Sequence, residues 1–480
     1  MKNRRWFVSA FVICAIASLG PIWAGKFLPL TDLPQHIAQI SILRNYSNPV
    51  YEYGRHFELN FFTPYALGLL LGAALNLIFP LFTAAKILLS LIVISFPLSM
   101  YKLLVHSDGD PQWSLLGFPL AFGGSFFWGH LPYLAAVPLS FFCWGLALKF
   151  RSSPSPKNGF WLSISMLLLF FSHVLPFAIS VMVITIFLLE GKPGRVDFRR
   201  FLPLAPAVSI LIIWLLGFNS RSSYQLPIVW QIGWHRLFEM PQVVMGIWGD
   251  RIAHLFFIGV LIAFYLFPRR QKAGLFPFMP LTLILFLCLA LPFQISMDIN
   301  YVPQRIAVYL FPAYLLTFRR AQAFKGRQAG ALILMAVLFI GWSGVLSRRV
   351  IAFNKEAASF APILEKMAPN RRVAGIILDK KTPIPSYLPY LHFPAYYQAL
   401  KGGTFEYSFS NVPQTVARYP ISQRLTPSEL SYSWDQLFAD PQYDYYLFRL
   451  HANKGILPTA GRKLLLQSGP WFLFERIPDF

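Results

Sequence analysis

The chain has 480 residues, of which 56% are hydrophobic and only 13% carry a charge. Apolar runs of bilayer-spanning length recur from residue 6 to residue 347, so the composition excludes a soluble globular protein and predicts a polytopic membrane protein. The 42 Lys and Arg exceed the 20 Asp and Glu, but they form short clusters between apolar runs. This pattern is typical of loops held on the cytoplasmic side, so nucleic acid is not a predicted partner.

The first apolar segment, residues 6–23, follows a basic N-terminus. The sequence IWAGKFLP after it is a poor small-residue cleavage site, so we expect a retained signal anchor whose N-terminus is cytoplasmic. Each cysteine lies inside an apolar run without CxxC spacing, which indicates neither a disulfide framework nor a thiolate metal site. The cysteines are Cys14, Cys143 and Cys288.

Positive charges decide between two topologies for the rest of the chain. If residues 62–79 lie along the outer surface and only 82–104 cross, every basic cluster faces the cytoplasm; the opposite choice places them all outside. We therefore predict about eleven spans and one juxtamembrane segment that does not cross. After the first, the predicted spans are residues 82–104, 113–129, 133–149, 159–172, 174–190, 201–218, 252–267, 276–293, 305–318 and 329–347.

Asp32 is the first candidate for chemistry. It directly follows the first span, lies between Pro29 and Pro34, and precedes a short amphipathic helix whose N-terminus favours an ionised carboxylate. A charge held at a membrane surface is a functional-site hypothesis. Simple capping of that helix by Asp32 is the alternative.

The predicted topology collects further polar side chains on the same outer side. They include His130 in WGHLPY, His173 in SHVLP, and both Asp298 and Arg305 in MDINYVPQRI. A single interfacial histidine is commonly structural, but convergence on one face favours a shared cavity. Arg305 opens an apolar helix, where its planar guanidinium suits the phosphate of a lipid whose tail lies along the helix. An ordinary ion pair between Asp298 and Arg305 is the alternative.

Residues 350–480 have the composition of a soluble α/β domain. They contain an amphipathic helix at 353–367 and strand patterns at 371–378, 443–450, 462–468 and 471–477. Between these lies an aromatic region, residues 386–410, with His392. Its aromatic faces and polar tips suit a sugar ring, and packing of a small domain is the alternative. Walker, GxGxxG and HExxH motifs are absent from the sequence, so nucleotide binding and zinc hydrolysis lack support.

This organisation resembles the GT-C superfamily of integral membrane glycosyltransferases. The likeness in architecture covers a membrane domain at 1–349, with a first outer loop at 25–81, and an extracytoplasmic domain at 350–480. At the level of motifs it covers TDLPQH and, more weakly, MDINYVPQR. The resemblance implies hexosyl or pentosyl transfer from a polyprenyl-phosphate donor to a glycan or lipid acceptor, with Asp32 as base and Arg305 as phosphate ligand. It also implies a bacterial inner membrane and contact with membrane lipids.

The chemistry implied by the resemblance needs few groups. One carboxylate acting in a direct displacement inverts the anomeric configuration, and His130 or His173 can assist the leaving phosphate. His36, one turn after Asp32, either binds substrate or lies on a solvated helix surface. The turn GHLPY lacks the second carboxylate that many relatives carry, so no metal ligand is predicted, while dependence on a divalent metal stays open.

Two other classes of function fit the composition. A transporter or flippase for lipid-linked glycans commonly has internal repeats and charges near the bilayer midplane, neither of which the sequence indicates. A non-catalytic envelope assembly protein would present its outer domain to partners.

Overall fold

The structure of the protein is a computed structural model. The structure describes residues 2–189, 197–219, 228–233, 235–236, 239, 243–244, 246, 250–265, 276–295, 300–317, 326–380, 382, 387–423, 433–440, 442–450 and 461–477. The described chain is mainly helical with a small C-terminal sheet, which confirms the predicted fold class. Asp298 lies outside the described residues.

Helices account for most of the described chain. The α-helices are Lys2–Trp23, Leu33–Asn45, Tyr53–His56, Ala66–Leu75, Leu81–His106, Gly117–Leu120, Gly124–Trp128, Leu131–Ser152, Pro156–Ser172, Val174–Leu189, Ala205–Asn219, Arg251–Tyr265, Met279–Ala290, Val302–Ala307, Leu310–Leu315, Gly326–Ala357, Phe360–Lys366, Pro394–Lys401 and Trp434–Ala439. Shorter 3-10 helices are Pro111–Leu116, Phe198–Leu204, Phe276–Phe278, Phe409–Asn411 and Ile421–Gln423.

Several of these helices are apolar enough to cross a bilayer, which makes this a membrane protein. Within the described residues, those that are also long enough are Arg5–Trp23, Leu81–His106, Leu131–Ser152, Phe198–Gly217 and Ala329–Ala357. The count of about eleven crossings stays a prediction. Helix Ala66–Leu75 has 10 residues. It therefore measures about 15 Å, half of a hydrocarbon core of about 30 Å, which fits the segment predicted not to cross.

The predicted span at residues 113–129 is not one continuous helix. It consists of the 3-10 helix Pro111–Leu116 and two helices of 4 and 5 residues. The helical path changes from 3-10 to α at Gly117 and breaks at residues 121–123, which form a turn before helix Gly124–Trp128. A Cβ on Gly117 would lie 2.5 Å from backbone atoms of Pro97, so this close packing requires glycine.

The chain divides into two compact units. Residues 1–22 and 89–347 form the first, here called the helical unit, and residues 23–88 and 348–480 form the second, called the mixed unit. In the helical unit Trp144 is fully buried, and its indole N–H donates to the Ser180 hydroxyl at 3.2 Å. The mixed unit joins the first predicted outer loop to the C-terminal segment, which the sequence presents as separate regions.

The mixed unit contains the sheet. Its strands are β1 (Glu58–Leu59), β2 (Arg372–Ile377), β3 (Thr404–Phe405), β4 (Ala417–Arg418), β5 (Tyr445–Arg449), β6 (Arg462–Ser468) and β7 (Trp471–Arg476). The main sheet has the order β3-β2-β5-β7-β6; β2 runs parallel to β3 and β5, and β7 runs antiparallel to β5 and β6. Strands β2, β5, β6 and β7 confirm the four strand patterns of the sequence. Strands β1 and β4 form a separate antiparallel pair.

Arg449, a buried cation on β5, forms ion pairs with two acids outside the sheet. The Arg449 side chain is 1% exposed and pairs with Glu356 and, at 3.2 Å, with Asp379. Its guanidinium carbon lies 3.7 Å from the centroid of the Tyr390 ring. Because removing one partner of a buried ion pair leaves the other charge uncompensated, this cluster is a strong structural requirement of the mixed unit.

The helix Leu33–Asn45 is buried along most of its length, although its sequence looks amphipathic. Its polar side chains bond to the C-terminal segment. The Ser41 hydroxyl donates to the Ala399 carbonyl at 2.7 Å, and the Gln39 amide donates to the Ala417 carbonyl at 2.8 Å. His36 is 7% exposed, so the solvated-surface alternative for this residue is wrong. These bonds fix the orientation of the residues at the helix start.

Candidate active site

Asp32 lies at the N-cap position of helix Leu33–Asn45, with Pro34 in the first turn. Its side chain makes no capping hydrogen bond to the described first turn, so the capping alternative lacks support. Instead, Asp32 Oδ1 lies 3.5 Å from His392 Nε2, and these two side chains are 15% and 14% exposed. The structure thus brings together an acid from the first loop and a histidine from the C-terminal segment.

Gln35 determines which nitrogen of His392 carries the proton. The Phe409 backbone N–H donates to Gln35 Oε1 at 3.0 Å, and Gln35 Nε2 donates to the Tyr407 carbonyl at 2.7 Å. These two bonds fix the orientation of the amide. The group 3.1 Å from His392 Nδ1 is therefore an N–H donor, so Nδ1 accepts. Consequently His392 Nε2 carries the ring proton and directs it toward Asp32.

The imidazole of His392 is neutral in this arrangement, because its Nδ1 accepts a hydrogen bond and carries no proton. A neutral N–H donor orients an anion without cancelling its charge. His36 belongs to the same neighbourhood: its ring lies edge-on to Phe409 with centroids 5.6 Å apart, and His392 contacts Phe409 in the same way at 5.5 Å. The mixed unit therefore groups three of the predicted site residues, Asp32, His36 and His392.

A second cluster forms around Arg305 in the helical unit. Arg305 is 9% exposed and lies in helix Val302–Ala307. Its Nη2 lies 3.2 Å from His130 Nε2 and 3.4 Å from Asn300 Oδ1. The guanidinium carbon is 6.0 Å from the Tyr133 ring centroid, and the Tyr133 hydroxyl donates to the Arg305 carbonyl. Since a guanidinium only donates, His130 Nε2 accepts and its Nδ1 carries the proton.

Aromatic rings surround this guanidinium cluster. Trp128 stacks on His130 with an interplanar angle of 5° and centroids 6.2 Å apart, and also contacts Tyr301 at 4.9 Å. Tyr301 immediately precedes the helix of Arg305 and has a φ of +55°, a conformation that non-glycine residues rarely adopt. Backbone strain of this kind concentrates at functional sites and costs about 1–3 kcal/mol.

His173 accepts a backbone hydrogen bond, which satisfies one of its ring nitrogens. It follows helix Pro156–Ser172, and its Nδ1 accepts the Leu175 backbone N–H at 3.1 Å. Its ring lies edge-on to Tyr133 with centroids 5.5 Å apart. His173 therefore contacts the aromatic ring beneath Arg305.

Two residues near these clusters were not singled out from the sequence. Gln35 lies three positions after Asp32 on the same helix, a spacing that predicts a shared face, but its role depends on the backbone of residues 407–409. Asn300 lies just before Val302–Ala307. Among the described residues there is no group of three or more His, Cys, Asp or Glu that could hold a metal ion.

Comparisons with known proteins find similar structures but no similar sequence family. No family model matches the chain, and comparison with curated proteins finds no match. The crystal structure of ArnT from Cupriavidus metallidurans in the apo state is similar with a TM-score of 0.58 and 11% sequence identity, covering 99% of this chain and 98% of that one. The Archaeoglobus fulgidus oligosaccharyltransferase, in a complex with Zn and sulfate, gives a TM-score of 0.41 and 12% identity over 92% of this chain and 68% of that one.

ArnT is a GT-C glycosyltransferase. The likeness to ArnT runs along nearly the whole chain and confirms, for the fold, the resemblance carried by TDLPQH and the predicted architecture. This chain is therefore a membrane protein that shares its fold with ArnT.

Proposed function

We propose that the protein is a membrane glycosyltransferase that moves a sugar from a polyprenyl-phosphate-linked donor to an extracytoplasmic glycan or lipid acceptor. The observation that carries this proposal is the Asp32 carboxylate, whose Oδ1 lies 3.5 Å from Nε2 of His392, a neutral ring whose Nδ1 is beside the Gln35 amide. The GT-C fold supports the same reading, because fold likeness raises the prior for a reaction class.

Asp32 acts as the general base in this proposal. As the acceptor oxygen forms a bond to the anomeric carbon, its proton passes to the Asp32 carboxylate. The bond between the anomeric carbon and the phosphate oxygen breaks at the same time, and its electron pair leaves with the phosphate. A single displacement of this kind inverts the anomeric configuration. His36, buried beside Asp32, is proposed to contact the acceptor.

Arg305 is proposed to bind the leaving phosphate. A guanidinium offers paired N–H donors that match two phosphate oxygens, and its charge persists at every physiological pH. His130 and Asn300 position this guanidinium by accepting from Nη2. His173 is proposed to act through Tyr133. A substrate-binding role for Asp298 stays a proposal from the sequence alone.

The proposed reaction also implies a location. We propose a bacterial inner membrane, a cytoplasmic N-terminus and an extracytoplasmic domain formed by residues 350–480. This places the acceptor chemistry outside the cytoplasm, where a polyprenyl carrier delivers the sugar.

A turnover assay with purified protein tests the function. Labelled sugars linked to undecaprenyl phosphate are incubated with candidate glycan and lipid acceptors, and the products are separated by chromatography. We expect transfer by the wild type and by Asp435→Asn, a matched variant at an exposed aspartate of the same unit, and none by Asp32→Asn. NMR of the product should show an inverted anomeric centre.

Other outcomes would favour the other classes. Movement of lipid-linked sugar across reconstituted vesicles without turnover would indicate a transporter or flippase. The absence of both turnover and movement would indicate an assembly protein. Full activity of Asp32→Asn would remove the proposed mechanism even if transfer were observed.

A further inference from the structure

The mixed unit contains a cavity with a volume of about 480 Å³, lined in part by polar side chains. Its lining comes from the end of helix Tyr53–His56, from β2 and β3, and from the residues just before β5. Asp32, Gln35 and His392 do not line it. The volume lies within the range of about 300–1,000 Å³ that small-molecule sites occupy, so the cavity is large enough for a ligand.

A buried acid forms part of this lining. Glu406 directly follows β3, and its two carboxyl oxygens lie 2.9 and 3.0 Å from the Gly375 backbone nitrogen, whose N–H they accept. Because β3 ends at Phe405, the carboxyl group takes the place of a strand partner on the edge of β2. Burial raises the pKa of Glu406 to about 8, against the lowering effect of the hydrogen bonds. This shift favours the protonated acid, which offers both a donor and an acceptor.

The cavity carries little net charge. Arg372 supplies one permanent positive charge, and its Nη2 donates to Gln442 Oε1 at 2.6 Å. The other basic group is His56, whose pKa is lowered by burial and by the charges of Arg372 and Arg55, against the opposing effect of Glu52. The imidazole is therefore neutral at pH 7. One cation in the described lining is too few for a polyphosphate, which is usually held by several.

The chemical types of the remaining lining residues indicate which class of ligand the cavity could bind. No described residue of the lining is aliphatic, so an acyl chain would find no matching surface. The lining instead combines the aromatic rings of Phe405, Tyr419 and Tyr443 with planar amides such as Asn411. Aromatic faces cover the C–H surface of a pyranose, and amide and carboxyl groups pair with neighbouring hydroxyls.

From these observations we propose that the cavity is a binding site for a neutral saccharide. The sugar packs against the small exposed parts of Phe405, Tyr419 and Tyr443, which are 3%, 6% and 5% exposed. Its hydroxyls exchange hydrogen bonds with Glu406 and donate to Asn411 Oδ1, because the Asn411 amide N–H groups already donate to the Glu406 and Ser408 carbonyls. The inference does not rest on the transfer reaction, because it involves neither Asp32 nor Arg305. It assigns the mixed unit a sugar-recognition surface of its own.

Ligand-observed NMR on the full-length protein tests this site. Saturation-transfer spectra are recorded with N-acetylglucosamine, methyl glucoside and methyl mannoside, in a detergent whose headgroup contains no sugar. Gln423 is an exposed lining residue, so Gln423→Trp fills the cavity without disturbing the core. Gln467→Trp, at an exposed position on β6, is the matched control.

We expect saturable binding of at least one sugar by the wild type and by Gln467→Trp. Binding by Gln423→Trp should weaken at least tenfold while its unfolding temperature stays unchanged. Asp32→Asn should bind as the wild type does, which separates this inference from the transfer mechanism. A wild type that binds none of the three sugars, or equal binding by both tryptophan variants, would overturn the proposal and leave Glu406 as a purely structural partner of β2.

Discussion

The acid cluster of the mixed unit and the guanidinium cluster of the helical unit use a neutral imidazole in opposite ways. His392 directs an Nε2 proton toward the Asp32 carboxylate, whereas His130 presents an Nε2 lone pair to the Arg305 guanidinium. In each cluster an N–H donor decides the tautomer of the histidine: Gln35 donates to His392 Nδ1, and Arg305 donates to His130 Nε2.

The two arrangements have the same consequence for the charge of the neighbouring group. A cationic imidazole beside Asp32 would offset the negative charge that a base needs, and one beside Arg305 would repel the positive charge that a phosphate needs. In both clusters the neutral form leaves the charge of its neighbour intact. The following predictions test whether this parallel has chemical meaning.

Replacing the acid should have the largest effect. Asp32→Asn keeps the size of the side chain but removes the base, so kcat should fall about 10³-fold, equivalent to about 4 kcal/mol in the barrier. The measurement is kcat in the transfer assay, with Asp435→Asn as control. Retention of more than a tenth of the wild-type kcat would contradict the assignment.

Glu406 is a buried acid of the mixed unit and contrasts with Asp32, whose side chain is 15% exposed. Burial raises the pKa of Glu406 to about 8 from an ordinary value of 4.5. Between these values the folded protein holds a proton that the unfolded chain has lost, so stability is full below the lower value and falls as the pH rises toward 8. The loss between pH 5 and pH 8 is on the order of 3 kcal/mol.

Glu406→Gln should remove that part of the pH dependence, because the amide does not titrate. Thermal unfolding of both proteins at pH 5 and pH 8 measures the difference, with Asp435→Asn as the control for a lost surface carboxylate. An unfolding temperature that falls equally in the wild type and in Glu406→Gln would show that another group is responsible.

Changes at Arg305 should act mainly on donor binding. Arg305→Met removes the charge and should raise the donor Kd about 30-fold, or about 2 kcal/mol. Arg305→Lys keeps the charge but loses the planar fork, so its Kd should lie between those of the wild type and Arg305→Met. Arg348→Met, at an exposed position, is the control. Equal donor affinity in Arg305→Met and the wild type would exclude a phosphate role.

The smallest effect is expected at Gln35. A carboxylate cannot donate, so in Gln35→Glu the Nδ1 of His392 must carry a proton instead of accepting one. We expect kcat to fall about fivefold, near 1 kcal/mol, with an unchanged donor KM. Nitrogen-15 NMR of labelled histidine reports the tautomer directly. An unchanged Nδ1 signal in Gln35→Glu would show that Gln35 does not determine the tautomer of His392.

The sequence predicted the features that have a local pattern. Alternating or continuous apolar residues marked β2, β5, β6 and β7, because each is long enough for its pattern to be visible. Strand β3, by contrast, has two residues and carries no periodic signal. The pairing of β1 with β4 joins Glu58 to Arg418, and no local rule connects positions so far apart.

In the candidate sites, too, single residues were predictable from local patterns, whereas contacts between distant residues were not. Asp32 was found from its place after a span, and His392 from an aromatic region, but neither pattern indicated that the two side chains lie 3.5 Å apart. That proximity depends on the burial of helix Leu33–Asn45 against the C-terminal segment. The role of Gln35 was invisible for the same reason, since it arises from backbone groups of Tyr407 and Phe409.

The central claim is that an oriented carboxylate removes the acceptor proton while a separate guanidinium holds the donor phosphate. Measuring donor Kd and kcat in parallel for Asp32→Asn and Arg305→Met tests it most directly. The account predicts that Asp32→Asn binds donor with wild-type affinity while its kcat falls about 10³-fold, whereas Arg305→Met loses donor affinity. Wild-type turnover by Asp32→Asn, or the same loss of donor affinity in both variants, would contradict it.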